Sequence, residues 1–326
     1  MKVLVIGAAG MVGRKLIARL ASDGGLGGKP ITSLLAYDVV DPAPLSDAPF
    51  PITAQVGDLP AVGEAEKLVA DRPDVVFHLA AIVSGEAEAD FDKGYRINLD
   101  GTRNLFDAIR AVGDGYCPRV VFTSSIAVFG APFPDAIYDE FHLTPLTSYG
   151  TQKAIGELLL ADMTRRGMMD GVGIRLPTIC VRPGKPNKAA SGFFSNIIRE
   201  PLAGEEAVLP VSEDVRHWHA SPRSAVGFLV HAATMDTDAI GPRRNLTMPG
   251  VSVTVGEQIA ALRRVAGDTV ANRIKHSPDQ TIIGIVSGWP RNFDSRRATD
   301  LGFRADASFD DIIRTHIADE LGGKIA

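Results

Sequence analysis

Tyr149-Gly-Thr-Gln-Lys153, downstream of Ser125 in Val120-Val-Phe-Thr-Ser-Ser-Ile-Ala-Val-Phe-Gly130, brings a phenol, an ammonium and a hydroxyl into a short span of chain. Those three groups can move a proton to or from a carbon-bound oxygen. A phenol titrates at about 10, and bringing it to neutrality takes roughly 4 kcal/mol of extra stabilisation of the phenolate. A lysine four residues along a helix lies on the same face, about 6 Å along the axis, so its ammonium can stand beside the phenolate and reach a bound ribose. Ser125 would hold the substrate oxygen. The chemistry such a set serves is hydride exchange at an alcohol or ketone, with Tyr149 as the acid/base and Lys153 as its activator. Spacing alone is weak, because tyrosine and lysine at this interval are common on solvated helices.

A hydride carrier needs a binding site, and the first twenty residues supply one. Met1-Lys-Val-Leu-Val-Ile-Gly7 is an apolar run of strand character. Ala8-Ala-Gly10-Met-Val-Gly13-Arg-Lys-Leu-Ile-Ala-Arg-Leu20 then reads as a helix with Val12, Leu16, Ile17 and Leu20 on one face. Gly7 permits the tight turn, Gly10 lets the main chain approach a pyrophosphate, and Gly13 lets the helix pack on the strand. The unpaired amides of the helix start, around Met11 and Val12, face that anion. Asp38 closes Ile31-Thr-Ser-Leu-Leu-Ala-Tyr-Asp38, 25 positions after Gly13, and the loop Asp23-Gly-Gly-Leu-Gly-Gly-Lys-Pro30 accounts for the extra length. A carboxylate there accepts hydrogen bonds from adenosine ribose hydroxyls and repels a 2′-phosphate, so the expected cofactor is NAD in preference to NADP.

Together these residues resemble the extended short-chain dehydrogenase/reductase superfamily, which contains nucleotide-sugar epimerases and dehydratases, over nearly the whole chain. Further landmarks stand in order: Gly57-Asp58-Leu59, His78-Leu-Ala-Ala81, Asn98-Leu-Asp-Gly-Thr-Arg-Asn104, Asp294-Ser-Arg-Arg-Ala298 and Leu301-Gly-Phe303. The resemblance implies that Asp58 and Leu59 meet the adenine. It also implies that Ala80, Ala81, Asn98 and Pro177 line the cofactor's path, and that Tyr149 and Lys153 touch its nicotinamide end. His78 reads as a structural strand-end histidine. Within the superfamily the chain most resembles the D-erythronate dehydrogenase branch. That likeness is carried by Gly-Ala-Ala-Gly-Met-Val-Gly-Arg-Lys, the Gly-Gly-Lys-Pro insertion and Tyr-Gly-Thr-Gln-Lys. The branch implies NAD-dependent oxidation of the 2-hydroxyl of a small sugar acid to a 2-oxo acid.

The expected fold class is α/β: a Rossmann-type doubly wound parallel sheet with a smaller C-terminal substrate lobe. Strands are expected near 2–6, 31–37, 51–56, 74–79, 119–124 and 172–176, with helices between them. The Tyr149 helix is expected to start after Ser148, capped by that side chain. Residues 1–180 read as the NAD-binding core. From Val181 the rhythm breaks, and 181–326 reads as a substrate lobe interleaved with the last core strands, with a helix at about 256–266. At 326 residues the chain can bury a large core. A net charge of −5 gives no case for nucleic acid or an anionic membrane, and no apolar stretch approaches ~20 residues. Cys117 and Cys180 offer neither a disulfide framework nor a metal-ligand spacing, so no metal is expected and the setting reads as cytoplasmic. Related enzymes pair through helices flanking the site, here 98–112 and 149–165, so a homodimer is a further expectation.

The substrate is read from a departure. Epimerases of the superfamily carry an Asn and a Tyr-Gly-Pro after the sixth strand, whereas this chain has Arg175-Leu-Pro-Thr-Ile-Cys-Val-Arg-Pro-Gly184. The segment and its surroundings offer Arg182, Lys185, Lys188 and Arg216 instead. A planar guanidinium suits a carboxylate, which it holds by two parallel hydrogen bonds, although a solvated surface charge is the ordinary role of any one of these residues. Arg182 and Arg216 are the candidate anchors of a sugar acid, with Ser84 and Ser191 for its remaining hydroxyls and Ser125 and Tyr149 for the reacting one. Two other functions stay open: a nucleotide-sugar epimerase or dehydratase using tightly bound NAD, and a dinucleotide-sensing regulator without catalysis. The intact Ser125, Tyr149 and Lys153 argue against the last.

Overall fold

The computed structural model describes every residue except 44–46 and 185–189. Six apolar runs become parallel strands, joined by a seventh, in the order Asn245–Thr247, Asp170–Leu176, Arg119–Ser125, Val75–His78, Lys2–Ile6, Ser33–Asp38 and Ile52–Val56. The central strands have helices on both faces and read as unbroken apolar runs: Val75–His78 is buried at every residue. The edge strand Ile52–Val56, wet on one side, is mostly exposed. Winding starts in the middle at Lys2–Ile6 and runs outward through Ser33–Asp38. It then crosses to Val75–His78 and runs outward the other way. The two directions part between Ile6 and His78, which pair side by side, and such a parting opens a crevice at the carboxyl ends of the strands.

The inserted glycine-rich loop is a small hairpin, Gly25–Leu26 against Lys29–Pro30. Its turn uses Gly27 and Gly28 at φ of 59° and 76°, a conformation that favours glycine. This excursion delays Asp38 without disturbing the strand that ends there.

The C-terminal half builds a second core and also returns to the first. Thr178–Ile179, Arg216–Ala220 and Val251–Thr254 form a three-stranded sheet. Phe193, Phe194, Ile197 and Ile198 of helix Gly192–Leu202 pack with Val255, Ile259 and Leu262 of helix Val255–Ala266. Helix Pro222–Thr234 sends Ala225, Phe228, Leu229 and Ala232 back against Val3, Val5 and Leu16, and Asn245–Thr247 completes the main sheet. The chain thus passes between the two cores repeatedly, with Ala298 and Phe303 in the first and Phe309 and Ile312 in the second, which fixes the walls of any cleft between them. Among the described residues, no helix is long and apolar enough to cross a membrane.

At the glycine turn the fit is close. Gly7 has φ of 91°, and a Cβ there would stand 2.6 Å from the Ala80 nitrogen; a Cβ on Gly13 would stand 2.2 Å from the Gly7 carbonyl oxygen. Gly13→Ala must therefore push the helix off the strand. Overpacking of this kind costs about 1–3 kcal/mol, so a lower melting temperature and weaker NAD binding by calorimetry are expected. Unchanged values for both would show that the helix has room to shift.

Candidate active site

The crevice holds two adjoining cavities. The first, about 360 Å³, is lined by Gly7, Gly10, Asp38, Asp58, Leu59, Ala80 and Ala81 among others. Gly10 is the N-cap of helix Met11–Asp23, and no side chain satisfies the first amides of that helix. Asp38 is held in place by the turn it serves, its carboxylate accepting from the Ala9 N–H at 2.9 Å and the Val40 N–H at 3.2 Å. Asp58 lies at the same cavity, paired with Arg96 at 2.6 Å. A close main-chain approach, a free helix start and a carboxylate beside an apolar slot fit the pyrophosphate, ribose and adenine of NAD. Asn98 lines neither cavity. Its side chain accepts from the Ile82 N–H at 2.9 Å and donates to the Ile82 carbonyl at 3.2 Å and to Gln152 at 2.8 Å. Its bearing on the cofactor is through Ile82, which lines both cavities, not by contact.

The second cavity, about 330 Å³, collects Met11, Val12, Ser84, Ser125, Tyr149, Lys153, Pro177, Arg182 and Ser191. Ser125 ends its strand and accepts from the Ala127 N–H at 3.1 Å, which starts a short helical turn. Helix Ser148–Arg165 presses on that turn, for a Cβ on Gly150 would stand 2.1 Å from the Ala127 oxygen. Glycine after Tyr149 is what lets the phenol come up to Ser125. The helix cap is Thr147, not Ser148: Thr147 is extended and its hydroxyl accepts from the Gly150 N–H at 3.1 Å.

The electrostatics add a group to the expected division of labour. Burial pushes the Tyr149 phenol up, while a hydrogen bond from Ser125 and the positive charge of Arg182 pull it back down. Lys153 is not the source of that pull. Its ammonium lies 5.8 Å from the Tyr149 ring centre, donates to the Thr123 carbonyl at 2.8 Å, and is itself lowered by burial to about 8.

Arg182 crosses the cavity floor, donating to the Ile179 carbonyl and to the Ser191 hydroxyl, both at 3.1 Å. Among the described residues no carboxylate pairs with it. Among the described residues, the cavity lining contains two cations, Lys153 and Arg182, and no acidic side chain. Arg216 is elsewhere. It donates to the Ser252 carbonyl at 2.9 Å, pairs with Glu257 at 3.1 Å, and lines a separate cleft with Phe133 and Arg291. Side chains alternate along Arg216–Ala220, so the strand that turns Arg216 outward turns His217 into the cavity. Lys185 and Lys188 lie outside the described residues.

Residues 3–229 match the NAD dependent epimerase/dehydratase family. The chain belongs to that family. It is an extended short-chain dehydrogenase/reductase, and its cofactor is NAD. Similar curated relatives are a D-erythronate dehydrogenase of Cupriavidus necator, 47% identical over 98% of each chain, and a D-erythronate dehydrogenase of Haemophilus influenzae, 40% identical over 97% of this chain and 99% of that one. Among solved structures, a nucleoside-diphosphate-sugar epimerase from Agrobacterium tumefaciens superposes with a TM-score of 0.98 at 65% identity, over 100% of this chain and 96% of that one. A GalE-like L-threonine dehydrogenase from Cupriavidus necator reaches 0.85 at 23% identity, over 98% and 99%, and shares the fold.

Beyond Ser125, Tyr149 and Lys153, the structure adds residues that spacing did not reveal. Thr178, His217, Trp289 and Pro290 all line the second cavity. The alternation of Arg216-His-Trp-His219 held a signal for His217, once its phase against Val251–Thr254 is known. Trp289 and Pro290 arrive from a distant loop, and nothing local marks them.

Proposed function

We propose that this chain oxidises the 2-hydroxyl of a small sugar acid of the D-erythronate type to the 2-oxo acid with NAD. The observation that carries this reading is Arg182: a guanidinium without a carboxylate partner, in the same cavity as Ser125 and Tyr149. A half-buried cation of this kind calls for an anionic ligand, and the acid's carboxylate is held by two parallel hydrogen bonds. The reacting hydroxyl then lies between Ser125, which steadies the developing alkoxide, and Tyr149, which takes its proton. NAD, when bound, accepts the hydride from the same carbon. Ser84 and Ser191 stand ready for further hydroxyls, and Lys153 for the ribose on the cofactor's nicotinamide side.

The test is NADH absorbance with a panel of three-carbon to six-carbon aldonates and uronates. D-erythronate-like acids are expected to give NADH in proportion to acid consumed. No signal across the panel, with turnover of a UDP or GDP sugar and no net NADH, would transfer the protein to the epimerase reading that its relative from Agrobacterium tumefaciens carries by name. Arg182→Met separates substrate from cofactor. Losing a charge-assisted hydrogen bond costs about 1.5–3 kcal/mol, so KM for the acid should rise about ten- to a hundred-fold with KM for NAD little changed. The reverse pattern would assign Arg182 to the cofactor phosphates, because it also borders the cleft at Gly10 and Gly13.

A further inference from the structure

His217 lies in the catalytic cavity, yet the proposed reaction leaves it without a role. Its Nδ1 is 2.8 Å from the Pro290 carbonyl oxygen. A carbonyl only accepts, so Nδ1 carries the ring proton. Burial, with help from Arg182, lowers this imidazole to about 4, so across the neutral range it holds one proton and Nε2 is a bare acceptor. Thr178 Oγ1 is 2.7 Å from Nε2 and must donate to it. The one hydroxyl proton of Thr178 is thereby committed to the ring, leaving lone pairs on its oxygen toward the cavity. The ring is locked in this sense: it stacks on Phe194 at 5.2 Å and 3°, and Trp289 lies against it at 5.3 Å. Turning it over would put carbon where both hydrogen bonds now are.

We infer that Thr178, with its polarity set by His217 and the Pro290 carbonyl, is the subsite for a hydroxyl on the substrate carbons beyond the reacting one. The inference rests on the sugar-acid reading above. Thr178 accepts a hydrogen bond from that hydroxyl; His217 is a positioning residue that acts through Thr178. The cavity lining then makes two opposite demands. Arg182 offers only donors and takes the carboxylate, whereas Thr178 offers only an acceptor and takes a hydroxyl. An acid with a second carboxylate or a phosphate at the far end meets lone pairs there and is disfavoured.

The experiment compares kcat/KM for D-erythronate and for 2-hydroxybutyrate, which keeps the carboxylate and reacting hydroxyl but lacks the outer ones. Thr178→Val should narrow the preference for D-erythronate about ten-fold, the worth of one hydrogen bond, and Thr178→Ser should restore it. Equal losses on both acids in a variant with an unchanged melting curve would overturn the subsite. A second readout needs no substrate: nitrogen-15 shifts of His217 in the ligand-free protein should report the Nδ1–H form. The Nε2–H form reverses the polarity of Thr178 and overturns the inference whatever the substrate. The Nδ1–H form in a protein that oxidises no acid supports the polarity and instead sinks the sugar-acid reading.

Discussion

Tyr149→Phe is expected to lower kcat by about 10² to 10⁴, the usual worth of a positioned acid/base, with little change in melting temperature. The ring stays and only the oxygen leaves, so the loss isolates proton transfer. The pH profile carries a further consequence. A base must be deprotonated to act, so kcat/KM in the oxidative direction should climb with pH and level off above the phenol's pKa. Burial moves that limb to higher pH, and Ser125 and Arg182 move it lower. Ser125→Ala and Arg182→Met should each shift the limb toward alkaline pH. If Tyr149→Phe retains near-normal turnover, or if the limb in Arg182→Met stays where it was, Tyr149 is not the group that titrates.

The parts of this molecule legible in its sequence are those where local chemistry leaves few choices. Val75–His78 is legible as an inner strand because Val75-Val-Phe77 is a short apolar run of β-branched and aromatic residues, and all four residues are buried. Gly7 and Gly13 are legible because each position excludes a Cβ. Less legible is whatever depends on partners far along the chain. Thr147 and Ser148 are equally good caps by type, and only the extended backbone at Thr147 decides between them. Arg216 and His217 exchange roles with a one-residue change in the phase of a strand, which is set by its pairing with Val251–Thr254. Asn245–Thr247 is too short to announce itself, though it closes the sheet against Gly173–Arg175. The pull on Tyr149 comes from Ser125 first and then from Arg182, a neighbour in space that the helix spacing does not mark.

That distinction bears on the charges beneath the site. Arg175, 5% exposed, donates to Glu157, 0% exposed, through Nε at 2.9 Å and Nη2 at 2.8 Å. Ser124 donates to the same carboxylate at 2.5 Å, and Asp139, which accepts from the Thr247 N–H at 2.8 Å, lies 3.7 Å from Arg175. One buried cluster thus joins the Tyr149 helix, the strand ending at Ser125 and the sheet edge at Thr247. Arg175→Met leaves Glu157 charged and without its counter-ion, and breaking one side of a buried pair costs about 3–5 kcal/mol, to be read by urea unfolding. A loss under about 1 kcal/mol would mean that water reaches the carboxylate or that it takes up a proton. The double variant Arg175→Met, Glu157→Leu should recover much of the loss, because two apolar groups need no compensation. Recovery of stability should not restore activity to the same extent. Glu157 lies one helical turn beyond Lys153 and works against the burial that lowers the ammonium. With that carboxylate gone, Lys153 should titrate below about 8, and the double variant should bind NAD less well as pH rises toward that value.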